Sequence, residues 1–137
     1  MSRYRVLVPV DGNEERAAAQ ADHIAGLPDA PETVAATLLY VYSTDTGDAG
    51  TERVGDHIGR PDSVEQVRTR LADDGIPVEI REEEGDVATT VLSVAAELAP
   101  DAIVMAGRKR SPVGKAVFGS VTQEVILNAS SPVTVVR

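Results

Sequence analysis

Between Gly107 and Thr122 the chain reads G-R-K-R-S-P-V-G-K-A-V-F-G-S-V-T, and the clearest chemistry in the sequence lies there. Three glycines (Gly107, Gly114, Gly119) alternate with four cations, Arg108, Lys109, Arg110 and Lys115. The whole chain holds thirteen Lys and Arg against twenty-two Asp and Glu, a net charge of −9. Four of the thirteen within eight positions therefore make a positive island on an acidic molecule. Glycine lets backbone N–H groups approach an anion, and a helix starting near Gly119-Ser120 would point its positive end at the same place. That combination is chemistry for holding phosphate. The alternative for the segment taken alone is a solvated loop joining a strand to a helix.

A second candidate is Asp11, which with Gly12 ends the apolar run Tyr4–Val10. Its carboxylate can accept from ribose hydroxyls, or it can cap the turn ahead of Asn13. Both readings stand at this level. His23 and His57 have no neighbouring nucleophile and read as surface residues. Ser111 and Ser120 lack a G-x-S-x-G elbow, and Lys115 lacks the flanking residues of a G-x-x-x-x-G-K-[ST] loop. The Glu82-Glu83-Glu84 run reads as a solvated strand end rather than a cation site. The chain offers no complete catalytic machinery.

The elements that must position these residues follow from periodicity. Tyr4–Val10 reads as a buried strand; Asn13 suits a helix N-cap, with Glu14 and Glu15 in the first turn and Gly26 at the end. Thr33–Tyr42 lacks polar alternation and reads as a strand covered on both faces. Ser43–Arg60 reads as a long loop, and residues 61–74 as a helix opened by Pro61 and stopped by Gly75. Pro77–Arg81 alternates like an edge strand, and Gly85-Asp86 starts a helix closed by Pro100. A strand over 102–106, a helix from about Ser120 to Asn128 and a strand over Val133–Val136 complete a β-α-β-α-β-α-β-α-β order.

Five parallel strands alternating with four helices make a doubly wound α/β sheet, expected as one domain over residues 1–137. Ligands of such sheets sit where strand order reverses, beyond the carboxyl ends of the strands. The motifs place that point between strands one and four, which end in Asp11-Gly12 and Gly107-Arg108-Lys109-Arg110.

Bulk properties exclude other classes. Apolar content of 42% fits a globular core, and no apolar run reaches the ~20 residues of a membrane span. The acidic surface repels nucleic-acid phosphate, so neither nucleic acid nor membrane is an expected partner. The start lacks a signal-peptide pattern, which gives a cytoplasmic expectation. With no cysteine there is no disulfide or thiolate chemistry. Eleven of the thirteen bases are arginine, and such an acidic, lysine-poor balance resembles proteins of salt-loving organisms, archaea among them. A phospho-accepting receiver domain fails because Arg81-Glu82-Glu83-Glu84 occupies the end of strand three, where its acceptor acid belongs.

V-L-V-P-V-D-G-N-E-E near the start, L-L-Y-V-Y after it, and I-V-M-A-G-R-K-R … F-G-S-V-T-Q-E-V-I-L-N-A-S-S-P-V-T-V-V-R at the end resemble the universal stress protein family along the whole chain. The resemblance implies a Rossmann-like sheet of order 3-2-1-4-5, akin to adenine nucleotide alpha hydrolases, and a regulatory, non-enzymatic role in stress response. It implies ATP or a related adenine nucleotide as ligand, with Mg accompanying ATP. Its contacts would come from Pro9, Val10, Asp11, Val41, Ala106, Gly107, Arg108, Arg110, Gly119, Ser120 and Val121. Asp11 would meet ribose, the Val41 backbone adenine, and the glycine-loop residues phosphate. The family's phosphate pattern G-x-x-G-x9-G-[ST] is matched by Gly107, Gly119 and Ser120. Arg110 stands in place of the second glycine, and the spacing to Gly119 is one residue short. A protein-interaction scaffold that has lost nucleotide binding is the alternative those departures suggest. The valine-rich last strand, expected at a bare sheet edge, implies a homodimer joined there, a common arrangement in the family.

Overall fold

A computed structural model describes residues 3–43, 61–107 and 119–136. Strand β1 (Tyr4–Pro9) carries Val6, Leu7 and Val8, each almost fully buried, as a strand covered on both faces requires. Helix α1 (Glu14–Ala25) starts at Asn13, whose side chain accepts the Arg16 backbone N–H at 2.8 Å, and ends at Gly26. A four-residue helix, α2 (Ala30–Thr33), follows, an element that the residue pattern does not reveal. It takes Thr33 out of the expected strand, because the Thr33 hydroxyl donates to the carbonyls of Pro28 (3.0 Å) and Asp29 (3.1 Å).

Strand β2 (Val34–Ser43) absorbs Ser43, the first residue of the expected long loop; residues 44–60 lie outside the described residues. Helix α3 (Asp62–Asp73) has Pro61 as its N-cap. Strand β3 (Val78–Gly85) runs four residues beyond the expected Arg81. Its glutamates are laddered to β2 through Tyr40–Glu82, Val41–Glu83 and Tyr42–Glu84 pairs, and the Tyr42 hydroxyl donates to the Glu82 carboxylate at 2.9 Å. The acid run is thus the solvated end of an edge strand, as expected, but still paired to β2. Gly85 closes it at φ 149°, where a Cβ would come within 2.9 Å of the Thr90 hydroxyl, so glycine is required there.

Helix α4 (Val87–Leu98), strand β4 (Ala102–Ala106), helix α5 (Ser120–Asn128) and strand β5 (Val133–Val136) complete the chain. The five strands form one parallel sheet in the order β3-β2-β1-β4-β5, the order that the family resemblance implied, with β1 and β4 adjacent as the motifs suggested. Alternate residues feed two cores. Val6, Val8, Leu38 and Val104 pack on one face beneath α1 and α3; Leu7, Leu39, Ile103 and Met105 pack on the other beneath α4 and α5. Among the described residues, no helix is long and apolar enough to cross a membrane.

Two exposed carboxylates tie α4 into this frame. Asp86 caps the helix by accepting the Thr89 N–H at 3.0 Å, and hydrogen bonds from the Thr89 backbone, then its hydroxyl, hold it below the usual carboxylate range. Glu97 receives Arg81 through two N–H bonds of 2.7 and 2.8 Å, and that pairing lowers it likewise. A carboxylate depressed in the folded state adds stability above its unfolded pKa of about 4 and loses that contribution as pH falls through the folded value. Thermal melts of Asp86→Ala should therefore lie below wild type at about pH 7, with the gap closing as pH drops below about 3. A gap that persists unchanged in acid would show that the cap acts without its charge.

Candidate functional site

Strands β1 and β4 are neighbours for only two register pairs, Val6–Ala102 and Leu7–Ile103. Beyond Leu7 they part. Their separation leaves the carbonyls of Pro9 and Val104 without each other's strand as partner, inside the protein, where an unmet carbonyl is costly. Gln20 of α1 resolves this. Only 1% exposed, it donates from Nε2 to Pro9 O at 2.7 Å and to Val104 O at 3.0 Å. Both amide hydrogens are thereby used to bridge the two strands at their parting.

Above that bridge lies a cleft of about 460 Å³ at the carboxyl ends of the strands, a volume suited to a small-molecule ligand. One wall is apolar: Leu39, Val41, Val87, Val91 and Met105. The opposite wall is polar, with Asp11, Gly12, Arg16 and Gln20 from the start of α1. The first turn of α5, Gly119 to Thr122, closes one end.

Three helices bring their N-terminal turns to this cleft, and they differ in one respect. Helix α1 is capped by Asn13 and helix α4 by Asp86. Helix α5 begins at Gly119 with no side-chain cap; its first helical bond runs from Gln123 N–H to Gly119 O at 3.0 Å. The N–H groups of Ser120, Val121 and Thr122 are left without a helical acceptor, beside a cleft. Such a turn attracts an anion.

Asp11 serves its turn and also faces the cleft. Its Oδ1 accepts the Asn13 N–H at 2.9 Å, and its Oδ2 accepts Arg16 through Nε at 3.0 Å and through the adjacent NH2 at 2.9 Å. Its own carbonyl accepts the Ser63 hydroxyl, which anchors the loop to α3. On the apolar side, Leu39 O takes the Val10 N–H at 2.9 Å, the last rung between β2 and β1. Val41 shares the parity of Leu39, so its peptide groups point to the same side, where β1 offers no further rung.

The residues singled out in the sequence fall unevenly. Pro9, Val10, Asp11, Val41, Ala106, Gly119, Ser120 and Val121 all line the one cleft. Gly107 does not; its N–H donates to Val136 O at 2.7 Å and extends the β4–β5 ladder. Arg108 and Arg110 lie outside the described residues. Sequence reasoning passed over Arg16, Gln20 and Thr122, which also line the cleft. Two had a signal, a cation in a first helical turn and a glutamine among Ala17, Ala21 and Ile24 on an apolar stripe; Thr122 had none, since it becomes 95% buried in the first turn of α5 only through packing.

An open parallel sheet with a ligand-sized cleft at its switch point is a doubly wound α/β fold, whose ligands sit at that point. The profile of the universal stress protein family matches residues 3–137. A universal stress protein of Mycolicibacterium smegmatis is 39% identical over 103 residues, covering 74% of this chain and 76% of that one. The fold matches a universal stress protein from Archaeoglobus fulgidus in complex with dAMP, at a TM-score of 0.74, 21% identity and full coverage of both chains. It also matches a universal stress protein in complex with cAMP, at a TM-score of 0.69 and 16% identity over 100% of this chain and 98% of the other. The chain belongs to the universal stress protein family.

Replacing Gln20 by Leu keeps the packing volume but leaves both carbonyls unmet. Urea unfolding should show a loss of about 2–4 kcal/mol. A loss below about 0.5 kcal/mol would mean that water or a strand shift satisfies the two carbonyls instead.

Proposed function

We propose that the cleft binds an adenine nucleotide, ATP foremost, and that the protein is a regulatory module of stress response without catalysis of its own. One observation carries this reading: the uncapped first turn of α5 lies at one end of a cleft that also has an apolar wall. An aromatic base needs the second and a phosphate needs the first. Asp11 then meets a ribose hydroxyl, the peptide groups of Val41 pair with the adenine edge, and Pro9, Val10 and Ala106 form the floor. Gly119, Ser120 and Val121 hold phosphate by backbone N–H groups, with Arg108 and Arg110 as further phosphate ligands. Gly107 contributes by ending β4 where the loop must leave, since its own N–H is occupied. The solved relatives with dAMP and cAMP support an adenylate ligand for this architecture.

Mg accompanies ATP on its phosphates in this reading. The described cleft carries one carboxylate, Asp11. The module spans residues 1–137 and works in the cytoplasm; its acidic, lysine-poor composition suits a saline one, as in a halophilic archaeon.

The test isolates a single backbone donor. Ser120 is the first helical residue of α5, where proline is tolerated, and Gly119 before it is already extended at φ −71°, ψ 166°. Ser120→Pro therefore removes an N–H while leaving the helix, and Ser120→Ala controls for the hydroxyl. Calorimetric titration of ATP, ADP and AMP should give binding to wild type and at least about tenfold weaker binding to Ser120→Pro than to Ser120→Ala. No heat and no thermal shift up to millimolar nucleotide would overturn the reading and favour the interaction scaffold.

The same proposal includes a homodimer through β5. Pro132 O and Val136 O accept from Ile103 and Gly107 of the β4 side, so Val133 and Val135 turn their peptide groups to the free edge. The strand is only partly buried, and α5 leaves Leu127 80% and Ile126 40% exposed. An unprotected apolar edge pairs with a copy of itself about a two-fold axis without growing into fibres. Light scattering in about 0.15 M and molar salt should give twice the 14.4 kDa of one chain. Val135→Pro deletes one outward donor without touching the β4 ladder and should shift the species toward monomer. A monomeric wild type throughout the micromolar range would refute the dimer.

A further inference from the structure

Arg16 occupies a position that helix electrostatics disfavours. It is the third residue of α1, in the turn where the helix presents its positive end and where Glu14 and Glu15 are well placed. Its side chain folds back over that turn to Asp11 and lines the cleft. The pair is partly exposed, with 32% of the Arg16 and 56% of the Asp11 side chain accessible, and ion pairs so open add little to folding stability. Stability therefore gives no account of a cation at this point.

The geometry does give one. Asp11 is the only carboxylate on the described cleft wall, in a chain of net charge −9, and it would repel an anionic ligand. Arg16 neutralises it. The guanidinium has five N–H donors, of which the Asp11 contacts through Nε and one NH2 engage two. The remaining donors have no other acceptor among the described residues. Asp11 in turn has about four acceptor sites, and Asn13 N–H with the two Arg16 contacts fills three. One is left for a ligand hydroxyl. Ribose and Arg16 can therefore hold the same carboxylate together.

We infer that Arg16 is the residue through which the cleft distinguishes a phosphorylated nucleoside from a free one. Resting on the nucleotide reading above, this inference assigns ribose to the last acceptor site of Asp11 and the first phosphate to the unused edge of Arg16. In a 5′-nucleotide that phosphate stands one methylene and one oxygen from the ribose ring, within reach of a side chain clamped to the ribose-binding acid. The planar fork suits two phosphate oxygens, which a lysine at the same point would meet only as a point charge.

Titration of adenosine and AMP into wild type, Arg16→Ala and Arg16→Lys tests this. Wild type should prefer AMP. Arg16→Ala should weaken AMP by about tenfold or more while adenosine changes by less than about threefold, and Arg16→Lys should fall between. If Arg16 only braced Asp11, both ligands would weaken together. An AMP-to-adenosine ratio unchanged in Arg16→Ala overturns the role of Arg16 and leaves the nucleotide cleft standing. A wild type that binds neither ligand overturns both.

Discussion

The parting of β1 and β4 is the constraint on which the rest of the structure depends. A parallel sheet with helices on both faces has to reverse its winding once, and at the reversal two adjacent strands send their connections to opposite faces. The strands diverge, a cavity opens, and backbone carbonyls lose their neighbours. Water could fill such a gap. Here Gln20 does so instead, reaching from α1 to Pro9 O and Val104 O with one amide nitrogen. The gap is thereby closed on the α1 side and left open toward the ends of the strands. A satisfied polar bridge in an otherwise apolar interface also fixes the depth of the cleft, since either carbonyl would be orphaned by a slip of the strands.

Everything that faces the cleft inherits its position from that bridge. Asp11 stands two residues past Pro9, and Ala106 two residues past Val104. The strand parity that buries Leu39 and Met105 against α4 and α5 also turns the next apolar residue, Val41, into the same wall. Capping then differentiates the helix ends. Where α1 and α4 carry side chains that accept their free N–H groups, α5 carries a glycine that cannot. Three similar helix starts therefore become two closed ends and one open one, and only the open end has donors left for something outside the chain.

The order of elements was legible because valine-rich runs bounded by Asp-Gly, Gly and Pro leave little choice of strand, and the motifs at the ends of β1 and β4 pointed to the switch point. Most of the candidate site could be read for the same reason: Asp11, Gly119 and Ser120 sit at element ends, where polar residues stand out. What escaped reading was pairing. The glutamates of β3 look like a solvated end because their polarity says nothing of the ladder that β2 offers them. Gly107 looks like part of a phosphate cradle, yet its N–H is taken by Val136 across the sheet. Gln20 is a single polar residue in a helix, and its role exists only once two strands from distant parts of the chain are known to diverge beneath it. These are tertiary facts, carried by residues whose local sequence is ordinary.

An acidic protein with a proposed anion site must separate its field at long range from its field at the site. The net charge of −9 is spread over the surface, where salt screens it within about 10 Å at 0.1 M and within about 3 Å at 1 M. The cleft works at shorter range. Its one described carboxylate is matched by Arg16 at 2.9 Å, and the first turn of α5, whose N–H groups have no helical acceptor, lines the same cleft. Screening therefore weakens the repulsion that opposes approach more than the hydrogen bonds that would hold a phosphate in the proposed site. Raising the salt concentration can accordingly assist such a ligand's encounter with this surface, the reverse of its effect on a protein whose basic surface attracts phosphate from a distance.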